Sequence, residues 1–112
     1  MTNKTIQIEI LGADVQCASC VNAPSSKDTY EWLEAAISRK YPNESFTINY
    51  VDIEAPIENE RLLSWATRIH EDEFFYPLVL INDEVIGEGF IQLKPVYRAL
   101  EQLGFTPESP TA

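Results

Sequence analysis

Apolar and polar residues alternate in two segments of the chain, and both segments are predicted to form β-strands. The first alternation starts at Ile6 and ends at Gly12, and the second runs from Phe46 to about Ile53. Successive side chains of a strand point to opposite faces, so each segment would bury the face that carries its apolar residues.

Three further segments repeat their apolar residues every three or four positions, which predicts helices. Ser25 is the expected N-cap of the first helix, because Asp28 follows three residues later. Pro95 is tolerated only in a first helical turn, so the regular part of the last helix should begin near Lys94. The three helices are predicted at about 26–40, 59–73 and 91–103.

A hairpin is predicted between the second and third helices. Pro77 precedes the apolar run 78–81, Asn82-Asp83 is a turn dipeptide, and residues 84–87 form the returning strand. The element order is therefore β-α-β-α-β-β-α, with a right-handed crossover that makes the first two strands parallel. Two residues contradict this arrangement: Gln7 and Glu9 would lie on the second face of a central strand, where apolar residues are expected.

Length and charge limit the function. The 112 residues predict one domain, expected at 1–104 and followed by a flexible tail at 105–112. The net charge of −10 argues against nucleic acid and anionic membranes, which are bound through Lys and Arg. The apolar run Ile6–Leu11 is too short and too polar for a secretion signal, so we expect a cytoplasmic protein.

Candidate chemistry comes from Cys17 and Cys20, the two cysteines of the chain, which form a CxxC motif. Two thiols at this spacing can close a disulfide ring or bind a soft metal ion. In the reducing cytosol a structural disulfide is disfavoured, which favours a redox-active or metal-binding pair. Asp14 is the nearest charged residue, and no Lys or Arg lies within six residues of Cys17, so we expect weak activation of the thiols.

The element order, with a CxxC after the first strand, resembles the thioredoxin superfamily and its compact glutaredoxin-like members. The segment Tyr76–Gly89 is similar to the glutaredoxin pattern of a proline, a strand, a tight turn, a second strand and two glycines. The stretches CASCV, PSSKDTYEWLEAAI and FFYP are similar to the YuzD family of small bacillary proteins. This resemblance implies a thioredoxin-like α/β fold with a four-stranded mixed sheet in the order 2-1-3-4, and it leaves the function open.

The resemblance also implies roles for individual residues. Cys17 would be the attacking thiolate and Cys20 the resolving thiol. The Tyr76–Pro77 bond would be cis and face the CxxC, with the backbone of Tyr76 turned towards a substrate and Phe75 forming part of an apolar lip. Glutathione is disfavoured as a ligand, because Glu88 lies between the two glycines that would hold it.

Two hypotheses remain open. The first is a thiol–disulfide oxidoreductase or redox-responsive protein, a monomer or weak homodimer without a cofactor, acting on a protein or a small thiol. The alternative is a non-enzymatic binding module of the same fold, in which Cys17 and Cys20 are structural or bind a metal ion or an iron–sulfur cluster. A structural zinc site requires four ligands, and a dimer could assemble four thiolates around zinc or an iron–sulfur cluster.

Overall fold

The computed structural model describes residues 5–13 and 26–107. The described elements, in chain order, are β1 (Ile6–Gly12), α1 (Ser26–Lys40), β2 (Phe46–Asp52), α2 (Glu60–His70), β3 (Leu78–Ile81), β4 (Glu84–Glu88) and α3 (Leu93–Gln102). This order confirms the predicted β-α-β-α-β-β-α arrangement. The expected N-cap Ser25 lies outside the described residues.

The four strands form one mixed sheet in the order β2-β1-β3-β4, as predicted. β1 is central and pairs in parallel with β2, so that Ile8 lies opposite Ile48. On its other side β1 pairs antiparallel with β3, which in turn pairs antiparallel with β4. Since β1 is bonded on both sides, its carboxyl end is fixed between β2 and the start of β3.

The sheet buries apolar residues on both faces, because helices cover each face. One core contains Ile8 and Ile10 of β1 together with residues of α1 and α3. The second core lies on the opposite face, where Leu11 and Leu80 meet residues of α2. None of the helices within 5–13 and 26–107 has the length and apolar character needed to cross a membrane.

Glu9 lies on the α2 face of β1 and is only 7% exposed. The side chain of Arg61, in the first turn of α2, donates hydrogen bonds to both of its carboxylate oxygens, at 2.9 Å and 2.6 Å. A buried carboxylate is tolerated when it is paired and hydrogen-bonded. Of the two positions that contradicted a central strand, Gln7 is exposed and Glu9 forms one half of an ion pair.

Helix α2 begins where it was predicted and ends earlier. The Asn59 side chain caps its first turn, but the helix stops at His70 rather than near Glu73. Asp72 adopts a positive φ of 66°, and its N–H donates to the carbonyl of Ile69. Acidic residues at a helix C-terminus oppose the helix dipole, which accounts for the earlier end.

The β3–β4 turn and the end of the chain complete the fold. Asn82 and Asp83 both have positive φ, which is typical of a two-residue hairpin turn, and they confirm the predicted turn. Phe105 is buried, with its ring centroid 5.2 Å from that of Tyr41. The N–H of Thr106 donates to the Glu44 carboxylate at 2.7 Å. Phe105 and Thr106 therefore contact the rest of the fold.

Candidate functional site

The carboxyl end of β1 and the start of β3 meet at one edge of the sheet. In the antiparallel register, Leu11 of β1 lies opposite Leu78 of β3. A Cβ atom placed on Gly12 would lie 3.7 Å from the Cα of Pro77. The chain therefore leaves β1 next to the point where Pro77 enters β3, and this edge is the candidate site.

Buried residues anchor the chain on either side of the cysteine-containing segment. Ala13, directly after β1, is 2% exposed, and Ser26, at the start of α1, is 3% exposed. The Ser26 side chain fills the space that a Cβ on Gly12 would need. The chain thus leaves β1 and enters α1 at nearly the same place. Cys17 and Cys20 lie between these anchors and outside the described residues, so their roles stay predictions.

Pro77 and the two residues before it lie at this edge. The Tyr76–Pro77 peptide bond is cis, which confirms that prediction. Pro77 itself is buried, and its carbonyl accepts a hydrogen bond from the N–H of Gly89 at 3.0 Å. The side chains of Phe75 and Tyr76 are 74% and 43% exposed, whereas Phe74 packs into the α2 core. Phe75 and Tyr76 are therefore free to contact a ligand.

A third exposed aromatic residue, Phe90, was not singled out from the sequence. It is 76% exposed and follows Gly89, which has a φ of +77°. A Cβ on Gly89 would lie 3.4 Å from the Phe75 Cβ, so the two segments are in contact. The sequence carried no signal for it, because its exposure follows from the fold: Ile91 fills the core before α3, which leaves the preceding side chain outside.

Glu88 links the two segments at this edge. Its carboxylate accepts a hydrogen bond from the backbone N–H of Phe75 at 2.9 Å. The chain on either side of this edge, residues 68–78 and 87–94, contains four Asp and Glu residues and the two cations Arg68 and Lys94. An anionic ligand would therefore meet a net negative charge here.

Three described groups have displaced pKa values, and none belongs to segments 75–77 or 88–90. Hydrogen bonds to Glu9 raise the pKa of Arg61. A hydrogen bond from Arg61 lowers the pKa of Asp83, with a smaller contribution from Trp65. Burial raises the pKa of Tyr41, and its hydrogen bond to Glu101 adds to the shift. These groups hold the fold together and do not build the candidate site.

No metal centre is formed by the described part of the chain. Among residues 5–13 and 26–107, no three His, Cys, Asp or Glu side chains lie close enough together to hold an ion. His70, the single histidine of the sequence, has its Nε2 atom 3.1 Å from the carbonyl oxygen of Ile53.

Comparison with known proteins identifies relatives along most of the chain. Residues 9–101 match the family described as "Protein of unknown function (DUF1462)". The chain is 52% identical over 103 residues to a Bacillus subtilis (strain 168) protein named "Putative disulfide oxidoreductase YuzD", covering 92% of this chain and 95% of that protein. The crystal structure of SA0789, a Staphylococcus aureus protein of unknown function, is similar with a TM-score of 0.78 and 46% identity, over 88% of this chain and 91% of that one. The chain therefore belongs to the DUF1462 family, which confirms the predicted relation to YuzD.

Proposed function

We propose that this protein is a thiol–disulfide oxidoreductase that reacts through Cys17 and Cys20 and receives substrates beside Tyr76 and Pro77. The observation that carries the proposal is that Pro77 lies next to the Gly12 end of β1, where Leu11 and Leu78 pair. The segment with both thiols starts and ends at this edge, and the exposed Phe75 and Tyr76 lie at it. The name of the Bacillus subtilis relative, a disulfide oxidoreductase, supports the same chemistry.

The reaction transfers two electrons from the protein to a disulfide. The Cys17 thiolate attacks one sulfur of the substrate disulfide, forms a mixed disulfide and releases the other sulfur as a thiolate. The Cys20 thiolate then attacks the Cys17 sulfur and releases the second substrate thiolate. The substrate is reduced to two thiols, and the protein is left with a Cys17–Cys20 disulfide. A dithiol reductant returns it to the starting state.

The described residues would position the substrate. The backbone beside Pro77 offers Tyr76 to an extended chain, and the rings of Phe75 and Tyr76 provide apolar contact around the reacting disulfide. Such contacts exclude water and hold the two reacting sulfurs near each other, which lowers the barrier by converting a bimolecular encounter into a positioned one. The absence of Lys and Arg near Cys17 favours a reducing rather than a strongly oxidising pair.

A redox titration tests the proposal directly. The protein is stripped of metal, equilibrated in graded thiol–disulfide buffers, and its free thiols are trapped for mass spectrometry. Because the sequence contains two cysteines, every label reports on the motif. We expect reversible loss of both thiols with a midpoint roughly between −300 and −180 mV, the range of thioredoxin-like dithiols. A protein that forms no disulfide at any poise would contradict the proposal.

Two serine variants separate the roles of the cysteines. Cys20→Ser should accumulate a mixed disulfide with a substrate, because the resolving thiol is missing, while Cys17→Ser should accumulate none. Equal trapping by both variants would contradict the assigned order of attack. Stoichiometric metal in the purified protein, lost on Cys17→Ala, would favour the binding-module alternative instead.

A further inference from the structure

We propose that the edge around Pro77 selects cationic protein substrates, in which Lys or Arg and an apolar side chain flank the reacting cysteine. The inference rests on the proposed function and names the substrate class of the same site. The surface involved, called here the aromatic platform, consists of Phe75, Tyr76 and Phe90. Its three side chains are 74%, 43% and 76% exposed.

The aromatic platform is held as one unit by contacts between its two segments. The N–H of Phe75 donates to Glu88, and the N–H of Gly89 donates to the carbonyl of Pro77. Gly89 approaches the Phe75 side chain so closely that a Cβ there would lie 3.4 Å from the Phe75 Cβ. Exposed aromatic residues on a fixed backbone offer a large contact area at a low cost in conformational entropy.

Acidic residues adjoin both segments of the aromatic platform in sequence. Glu71 and Asp72 are exposed and directly precede the segment that leads to Phe75, and the exposed Glu88 lies within the platform's second segment. Two cations are near in sequence: Arg68, which is paired with Glu73 at 3.0 Å, and the exposed Lys94, four residues after Phe90. The acidic residues Glu71, Asp72, Glu73 and Glu88 outnumber them, so a partner that covers the platform meets a net negative charge.

Charge complementarity determines which kind of partner can bind the aromatic platform. A second copy of the chain would bring the same acidic residues into contact, on molecules that each carry a net charge of −10. An anionic membrane or nucleic acid would be repelled in the same way. A cationic polypeptide is attracted, and its Lys or Arg can also lie over the exposed aromatic rings, a favourable arrangement for a cation. The cysteine between those residues would then be presented beside the segment that carries Cys17.

A binding experiment separates docking from thiol chemistry. The probe is a fluorescent seven-residue peptide with central Leu-Ser-Phe, where Ser replaces the reacting cysteine, and two Lys on each side. A counterpart carries Glu in place of Lys. Fluorescence anisotropy should show the cationic peptide binding at least tenfold more tightly to the wild type. Equal affinities would overturn the inference.

Charge variants test whether the acidic residues beside the platform are responsible. The triple variant Glu71→Gln, Asp72→Asn, Glu88→Gln keeps side-chain shape and should reduce the preference at least fivefold. The matched control Glu31→Gln, Glu34→Gln, Glu58→Gln removes the same charge from exposed positions elsewhere and should keep it. An equal loss in both triple variants would reduce the effect to overall charge and overturn the inference.

Aromatic variants test the apolar half of the surface. Phe75→Ala with Phe90→Ala should weaken the cationic peptide at least fivefold, whereas Trp32→Ala with Leu63→Ala, made at other exposed apolar positions, should not. Sedimentation of the wild type should show no dimer that depends on Phe75, since such a dimer would make a second copy the occupant and overturn the inference.

Turnover of hydroxyethyl disulfide, a small neutral substrate, reports on the thiols alone. Activity on it, together with no preference between cationic and anionic peptide disulfides, overturns the substrate class and leaves the proposed function standing. No activity on any disulfide overturns the proposed function, and with it the substrate class. Activity on both, with the cationic peptide disulfide turned over at least tenfold more efficiently, supports the two together.

Discussion

Arg61 donates hydrogen bonds to both carboxylate oxygens of Glu9, 2.9 Å from Nη1 and 2.6 Å from Nη2. The same Nη1 also donates to Asp83 in the β3–β4 turn, at 2.9 Å. One guanidinium group therefore joins the central strand, helix α2 and the hairpin turn. Since Glu9 is nearly buried, most of the cost of removing this group should come from the carboxylate left behind.

Replacing Arg61 with Met should destabilise the protein by about 2 kcal/mol, less than the loss of a fully buried partner because Arg61 is 36% exposed. The double variant Arg61→Met, Glu9→Leu should recover most of that loss, because no buried charge is left unpaired. Urea unfolding at neutral pH measures both. Glu73→Gln, at a surface ion pair, is the control and should cost less than about 1 kcal/mol. A double variant less stable than Arg61→Met would contradict the argument.

Asp83 should make stability depend on acidic pH. Its pKa is lowered in the folded state, mainly by the hydrogen bond from Arg61, so the folded protein holds its proton less tightly than the unfolded chain. The stabilisation that ionised Asp83 provides is therefore complete above the ordinary aspartate pKa of about 3.9. It is lost as the pH falls through the lower pKa that Asp83 has in the folded protein. Urea midpoints from pH 6 to pH 2.5 should fall less steeply in Asp83→Asn, which keeps a residue tolerant of positive φ. Parallel curves for the two proteins would contradict this assignment.

Tyr41 should make stability depend on alkaline pH. Its hydroxyl is buried and donates to Glu101 at 2.7 Å, and burial is the main cause of its raised pKa. At neutral pH, the free energy of unfolding of Tyr41→Phe should be lower than that of the wild type by about 1 kcal/mol, the net contribution of one hydrogen bond. Tyr41 ionises at a lower pH in the unfolded chain than in the folded protein, so the wild type becomes less stable as the pH rises above about 10. The difference in stability between the wild type and Tyr41→Phe should therefore shrink. Unfolding midpoints at pH 7, 9 and 11 measure it; a gap that widens with pH would be the opposite result.

Gly12→Ala should destabilise the edge that positions the candidate site. The new methyl group would overlap the Ser26 side chain, which is buried and cannot move into solvent. Overpacking of this kind costs about 1–3 kcal/mol. Ser26→Gly in the same protein removes the overlapping atoms, so the cost of Gly12→Ala should be smaller in that background. Chemical denaturation of the four proteins of this cycle measures the coupling, and strictly additive losses would argue against the close approach.

Local pattern was sufficient to predict most of the fold. The alternation that starts at Ile6 predicted β1, and Asn82-Asp83 predicted the hairpin turn, because both signals lie within a few consecutive residues. The Glu9–Arg61 pair could not be predicted in this way, since its partners are 52 positions apart in sequence. Glu9 was noticed only as one of two residues, with Gln7, that did not fit a central strand.

The candidate site was predicted in part. The resemblance indicated Pro77 and its cis bond, and it drew attention to the exposed Phe75 and Tyr76. It did not indicate Phe90, because a single phenylalanine next to a glycine carries no periodic signal. Its exposure depends on the positive φ of Gly89 and on Ile91 filling the core, which are properties of the folded chain.

The close approach of Gly12 and Ser26 also has an evolutionary consequence. The cost of closing a loop between two fixed points rises only logarithmically with its length, by roughly 0.6 kcal/mol for each doubling. Because both ends of the 14–25 segment are set by buried contacts, insertions or deletions within it need not disturb the sheet. The segment that carries Cys17 and Cys20 can therefore change in length and sequence while the sheet beside it stays the same.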